Sequence, residues 1–252
     1  MAEMKRVVYT VLTGGYDRLQ QPSVVEPGWD YVCFTDAPAG RDGVWELRPI
    51  PYDGTLLLRA RWVKMHPHVL LPEYSYSVFM DANLCIRESQ FYRLAERNLP
   101  LAGLPHPSRD CVFDELRYCY LKDMLPTCTA LRIHRRLNGM GMPRHAGLFE
   151  TNVLLREHNA PEIVAFDEAW WAALQASCPR DQLSFTPTLH AQGLTPELLF
   201  GPGLHARNVS FVAYTNHPRT GKENVPGRLN GSNLKYNLRL LWRKTVLLLC
   251  LR

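Results

Sequence analysis

Apolar runs and polar breaks alternate along this chain with two periods. Arg6 to Thr13 (RVVYTVLT) is an unbroken β-branched and apolar run closed by Gly14-Gly15. Such a run predicts a strand buried on both faces that enters a tight turn. Asp30 to Thr35 (DYVCFT) predicts a second strand with Asp36 at its end. Leu56 to His66 has helical spacing, carries Arg59, Arg61 and Lys64, and is stopped by Pro67. Tyr76 to Met80 predicts the next strand, Ser89 to Asn98 a helix, and Arg109 to Asp123 and Thr127 to Leu137 two more. Gly139 to Pro143 breaks the pattern, and Gly147 to Arg156 (GLFETNVLLR) returns to strand. Asn159 is expected to cap a helix with Pro161 in its first turn and with Trp170 and Trp171 in the core. Arg180-Asp181-Gln182 opens a further helix, residues 201 to 233 read as loop, and a terminal helix follows.

Strands alternating with helices predict an α/β fold: a single Rossmann-like domain with a central, mostly parallel sheet flanked by helices. In such sheets ligands bind at the carboxyl ends of the strands. Gly14, Gly15, Asp36, Asp81 and Asn83 all fall on that edge. Asp81 and Asn83 are two apart, so they face the same way if the strand geometry continues past Met80. Two oxygen ligands in that position suit a hard divalent cation, Mn²⁺ or Mg²⁺, bridging protein to phosphate.

Composition narrows the partners. The 252 residues are 46% hydrophobic and 21% charged, with 29 Lys+Arg against 24 Asp+Glu, a formal charge of +5. This suits a phosphate-bearing ligand, while no basic run is dense enough to indicate nucleic acid. Seven cysteines, at 33, 85, 111, 119, 128, 178 and 250, form no Cys-x-x-Cys pair and no zinc spacing. The odd count and the absence of an apolar leader predict reduced thiols in a cytoplasm. Leu238 to Leu251 (LRLLWRKTVLLLCL) is too short to span a bilayer. It reads either as a helix packed on the domain or as a basic, Trp-bearing helix at the inner face of a membrane.

Five segments in order carry a resemblance: Tyr9 to Asp17, Cys33 to Asp36, Met80 to Asn83, Gly147 to Asn152, and Arg180 to Phe185. Together they resemble the glycosyltransferase-like family once catalogued as domain of unknown function 616, whose plant members are linked to mucilage and pollen turgor. The layout is also distantly similar to family 8 glycosyltransferases such as glycogenin. The resemblance implies a GT-A-like fold over residues 1–233, with a nucleotide-sugar half over about 1–100, an acceptor half over about 101–217, and a basic, apolar helix at 234–252. It implies a metal-dependent, retaining hexosyl transfer from a nucleotide-sugar, expected to be a UDP-sugar, to a saccharide or glycan in polysaccharide biosynthesis.

The metal ligands would be Asp81, Asn83 and His217. Thr13, Gly14, Gly15, Asp17, Asp36, Arg59, Lys64, Asp81 and Lys222 would hold the donor. His106, Arg109, Glu150 and Asn152 would face the acceptor, and Asp181 and Gln182 would stand at the reacting sugar. Asp181 would be the base of an inverting reaction; in a retaining one, Asp181 or Gln182 would steady the anomeric carbon. Asn83 departs from the Asp of the usual acidic pair. That departure keeps open a non-catalytic nucleotide-sugar or glycan-binding module. A family label keeps open an amidohydrolase of the ceramidase kind, for which no His-rich cluster or nucleophile elbow is present.

Overall fold

The computed structural model describes residues 4–178, 180–215 and 233–251, with side chains of the last stretch from 241 onward. In chain order the elements are β1 (Arg6–Leu12), β2 (Trp29–Thr35), β3 (Arg41–Asp42), β4 (Trp45–Pro49), α1 (Leu56–Met65), α2 (Pro67–Leu70), β5 (Tyr76–Met80), β6 (Leu84–Ile86) and α3 (Gln90–Ala95). They continue as β7 (Leu101–Pro105), α4 (Val112–Leu121), α5 (Thr127–Gly139), β8 (Phe149–Arg156), α6 (Pro161–Ser177), α7 (Gln182–Gln192), β9 (Glu197–Leu198), β10 (Val212–Tyr214) and α8 (Asn233–Cys250). Two compact units divide the chain, one of Met1–Ser108 with Phe149–Pro218, the other of Arg109–Leu148 with Arg219–Arg252.

The first unit is built on an eight-stranded sheet in the order β3-β4-β2-β1-β5-β8-β7-β9. β1 pairs in parallel with β2 and β5, β2 with β4, and β7 with β9. β8 runs antiparallel to both of its neighbours, and β3 runs antiparallel to β4. From β1 the chain winds outward through β2 and β4, then returns to place β5 on the other side of β1. The strand order therefore reverses between β1 and β5, the point at which α/β sheets open a ligand crevice. A separate ribbon pairs β6 with β10.

Alternate residues of the central strands serve two cores. Val8, Val78 and Met80 join Phe91, Tyr92 and Ala95 of α3 on one face. Val7, Tyr9 and Phe79 meet Val63 and Met65 of α1, Phe166 and Trp170 of α6, and Phe185 and Leu189 of α7 on the other. Trp170 is fully buried and its indole N–H donates to Ser184 Oγ at 3.1 Å, which satisfies the one polar atom it brings inside. A side chain of that size contributes about 1.5–3 kcal/mol through burial alone.

Beside this core lies a charged array. Arg156 Nη1 donates to Asp167 Oδ1 at 2.7 Å with both side chains wholly buried. Arg156 Nη2 also donates to Tyr9 Oη and, at 2.7 Å, to the carbonyl of Lys64, which receives Tyr9 Oη at 2.9 Å as well. The last turn of a helix leaves carbonyls without helical partners. Here they are met by buried donors that fix the end of α1.

The expected cap of α6 differs. Ala160 is the N-cap, and Asn159 instead donates its amide to the carbonyls of Pro72 and Tyr74, at 3.1 and 2.9 Å. Asn159 thus fastens the start of α6 to the loop before β5 rather than to its own helix. The short strands β3, β4, β6, β7, β9 and β10 were not expected. They are two to five residues long and give too few positions for a period to show.

His158 is fully buried, with Nε2 against the Leu71 carbonyl at 2.9 Å. Burial is the largest cause that lowers its pKa, to about 4. The folded state therefore holds it neutral while the unfolded chain takes up a proton below about pH 6.5. Stability falls as pH drops from about 6.5 to about 4 and is level outside that window, a change of about 3 kcal/mol. The check is urea unfolding of the wild type and His158→Gln at pH 7 and pH 4.5. The difference between the two proteins should change by roughly that amount; a pH-independent difference contradicts it.

The second unit holds α4, α5 and α8. Arg243 on α8 donates to the carbonyls of Tyr120 and Leu125 and pairs with Asp123. Leu241, Trp242, Leu248 and Leu249 are exposed. Among the described residues no helix is long and apolar enough to cross a membrane.

Candidate functional site

The carboxyl end of β5 and the start of β8, which runs antiparallel to it, meet the start of α7 and the face of α1. Between them lies a polar cleft of about 190 Å³ lined by Lys64, Asp81, Glu150, Asn152, Asp181 and Gln182, all expected from the sequence. Arg61, Thr151, Arg180, Arg207 and Tyr214 complete the wall. Four cations thus face three carboxylates, a balance that suits an anionic ligand.

Lys64 organises the cleft. Its ammonium, 1% exposed as a residue, sits 2.7 Å from Asp181 Oδ2, 3.2 Å from Thr151 Oγ1 and 3.8 Å from Asp81 Oδ1. Arg61, one turn earlier on α1, reaches the same Asp181 oxygen at 2.9 Å, and Thr151 Oγ1 donates to it at 2.8 Å. Asp181 is the N-cap of α7, its carboxylate accepting from the Gln182 N–H at 3.2 Å. Burial by itself would raise its pKa; Arg61, Lys64 and the two side-chain hydrogen bonds outweigh it and hold the carboxyl well below the ordinary range.

Asp81 is the opposite case. Burial raises its pKa, Lys64 and Arg61 offset this only partly, and the neighbouring charges of Asp181 and Asp17 add to it. Its side chain keeps 41% exposure and lines the cleft. The two acids are therefore pushed apart, Asp181 over-compensated by cations and Asp81 under-compensated.

The extended geometry does not persist past Met80. Leu84 N–H returns to the Asp81 carbonyl at 2.9 Å, closing a turn over Asp81 to Leu84. Strand alternation therefore does not set Asn83 beside Asp81. Asn83 is 3% exposed and does not line the cleft, and its carbonyl accepts from Thr215 N–H and Oγ1 at 2.8 and 2.7 Å.

Thr13 to Tyr16 form a turn with Gly14 and Gly15 at φ 61° and 62°. A side chain rarely adopts that conformation, and a Cβ on Gly14 would meet Leu56 Cδ1 at 2.6 Å. Gly14 N–H donates to Asp36 Oδ2 at 2.8 Å, so Asp36 ties the ends of β1 and β2 together. Thr13 Oγ1 donates to the Leu56 carbonyl at 3.3 Å.

Arg59 does not line the cleft; Arg61 does. Residues three apart on a helix share a face, so Arg61 and Lys64 belong together, and Arg59 projects elsewhere. His106 accepts from the Ser108 N–H at 3.2 Å and is not in the lining. Arg109 belongs to the second unit, where it pairs with Glu115 at 2.7 Å and lies over the Tyr118 ring. His217 and Lys222 lie outside the described residues.

Thr151 escaped the sequence reading because alternation puts it on the face opposite Glu150 and Asn152. The β7 pairing jumps from Glu150 to Leu154, so this stretch of β8 is irregular and all three residues line the cleft. Arg207 pairs with Glu150, and its guanidinium lies 4.5 Å from the Tyr214 ring centre. The β6–β10 ribbon brings Tyr214 there.

No family model matches the sequence, and no curated protein does either. The resemblance drawn from the five motifs is thus not carried by a family model. Among solved structures the chain is similar to the apo structure of WbbM, a bifunctional glycosyltransferase, at 10% identity and a TM-score of 0.47, over 78% of this chain. The match spans 39% of the WbbM chain.

Proposed function

We propose that this chain is a glycosyltransferase that moves a sugar from a nucleotide-sugar, a UDP-sugar in the first instance, to a saccharide or glycan hydroxyl. The observation that carries the reading is the Lys64 bridge between Asp181 and Asp81, in a polar cleft at the carboxyl end of β5. A departing nucleoside diphosphate develops negative charge, and preorganised cations lower the barrier to its departure. Arg61, Lys64 and Arg180 bring such charges to the cleft. Gly14 and Gly15 let backbone approach the nucleotide at the end of β1. Glu150 and Asn152, joined by a 3.2 Å hydrogen bond and anchored by Arg207, offer oxygens to sugar hydroxyls.

A carboxylate whose pKa is held down is a poor proton acceptor. Asp181 therefore orients the sugar and faces the positive character at the anomeric carbon, which favours retention over inversion.

A hard cation fits Asp81. This carboxylate lacks full compensation, opens to the cleft, and has Lys64 only at the outer limit of an ion pair. Mg²⁺ and its relatives are commonly held by one or two carboxylates with phosphates and water completing the shell. Asp81 would hold such a cation, Mn²⁺ or Mg²⁺, without Asn83. When bound, the cation supplies further neutralisation of the leaving diphosphate.

Titration calorimetry of UDP against the wild type and Asp81→Asn, with and without Mn²⁺, tests this assignment. The wild type should bind more tightly with Mn²⁺, and Asp81→Asn should lose that gain while keeping the metal-independent part. A wild type indifferent to Mn²⁺ removes the metal from the reading. Failure of every nucleoside diphosphate and nucleotide-sugar to bind removes the reading itself. Diphosphate binding with no release of diphosphate from any donor leaves a binding module instead.

A further inference from the structure

We propose that the second unit carries a zinc-type metal site made by Cys111, Asp114 and His145. One ligand atom from each lies within 4.8 Å of the other two. Thiolate, imidazole and carboxylate together are a donor set for Zn²⁺, and unlike the oxygen donors of the cleft they do not favour Mg²⁺. None of the three residues lines the cleft.

The surroundings hold the three groups in place. Cys111 is the N-cap of α4, a position where Ser, Thr, Asp or Asn normally accepts a backbone N–H. Its side chain makes no such bond, and among the described residues its thiol has no hydrogen-bond partner, although the residue is 1% exposed. The sulfur is turned instead toward Asp114 and His145. Asp114 stands one turn along α4 and is held by Arg117 at 2.9 Å.

His145 comes from the loop after α5. Its backbone is left-handed, φ 55°, a conformation that histidine adopts more readily than most residues with a side chain. The adjacent Arg144 guanidinium lies 3.8 Å from the Phe113 ring centre, which lays this loop across the first turn of α4. Asp110 holds the His145 Nδ1 at 2.8 Å. A carboxylate on a ligating imidazole fixes the ring and raises its basicity, and loss of such a partner typically weakens metal binding by about 10- to 100-fold. With the His145 side chain 63% exposed, the cluster opens to solvent and a metal can enter. Three protein ligands leave a fourth position for water, and binding releases the Cys111 thiol proton to solvent.

The test uses the full chain, purified, loaded with Zn²⁺ and dialysed against a weak chelator. About one zinc per chain is expected to remain, the stoichiometry of a single site. His145→Gln and Cys111→Ser should each bring the metal content to background, and Asp110→Asn should weaken binding about 10- to 100-fold. Co²⁺ in place of zinc should give a sulfur-to-metal charge-transfer band that Cys111→Ser abolishes. The cleft has no cysteine, so this band separates the site from any cation at Asp81. It also stands or falls independently of the glycosyltransferase reading. Should Cys111→Ser fail to fold, His145→Gln decides, because its side chain is exposed. Absence of the cobalt band in the wild type, or zinc content unchanged in both variants, overturns the site.

Discussion

Asp181→Asn should destabilise the first unit by about 3–5 kcal/mol, the usual effect of removing one partner from a buried ion pair. The change leaves the Lys64 ammonium inside the protein with Asp81 alone, at 3.8 Å, in place of the 2.7 Å contact. It also releases Arg61 from its 2.9 Å contact. Under the proposed function the same substitution should lower turnover at least about 100-fold, because a catalytic cleft tolerates little displacement of its positioning groups. Urea unfolding and release of nucleoside diphosphate read the two effects separately. Combining Asp181→Asn with Lys64→Met removes the stranded charge. The double variant should regain much of the stability and none of the turnover. A single variant with an unchanged unfolding midpoint would show that the pair is not the buried clamp described above. Full turnover in that variant would remove Asp181 from the reaction.

Asp167→Asn should act at a distance. Arg156 and Asp167 are both without exposure, so the substitution leaves a guanidinium buried against a neutral amide, again at a cost of about 3–5 kcal/mol. Arg156 also holds the carbonyl of Lys64, so its displacement loosens the end of α1 that presents Lys64 to the cleft. Replacing the pair together, Arg156→Met with Asp167→Leu, should be neutral or stabilising by about 1–4 kcal/mol. It should nevertheless weaken diphosphate binding, because nothing then fixes the Lys64 carbonyl except Tyr9. Unchanged binding in a stable double variant would reduce the array to a purely structural role.

The central strands were legible because each is buried on both faces and reads as an unbroken apolar run: Arg6 to Leu12, Trp29 to Thr35, Tyr76 to Met80. Leu101 to Pro105 was not legible. It contains Gly103 and Pro105, which argue against a strand, and it is shaped by its pairing with β8. That Asp81 stands at the carboxyl end of its strand followed from the apolar run before it, and the cleft opens beside it.

Within the cleft, residues on regular elements were within reach and loop residues were not. Arg61 could have been preferred to Arg59 by helical spacing from Lys64. Thr151 could not, because a local irregularity of β8 defeats the alternation rule. Arg180, Arg207 and Tyr214 arrive from loops or a three-residue strand, where sequence spacing carries no direction. Asp81 was correctly placed at a strand end, but the turn that follows it takes Asn83 out of the lining. The Cys111, Asp114 and His145 cluster stayed hidden because its thiol and its imidazole lie 34 positions apart, and zinc spacing is read from short intervals.

A crystal of the chain soaked with UDP and Mn²⁺ gives the most direct test of the central claim. The account predicts diphosphate density in the cleft beside Lys64 and Asp181, with the metal on Asp81 and the guanidinium of Arg61 or Arg180 against the phosphates. Well-ordered nucleotide bound anywhere else on the first unit, with Lys64, Asp81 and Asp181 left untouched, contradicts it.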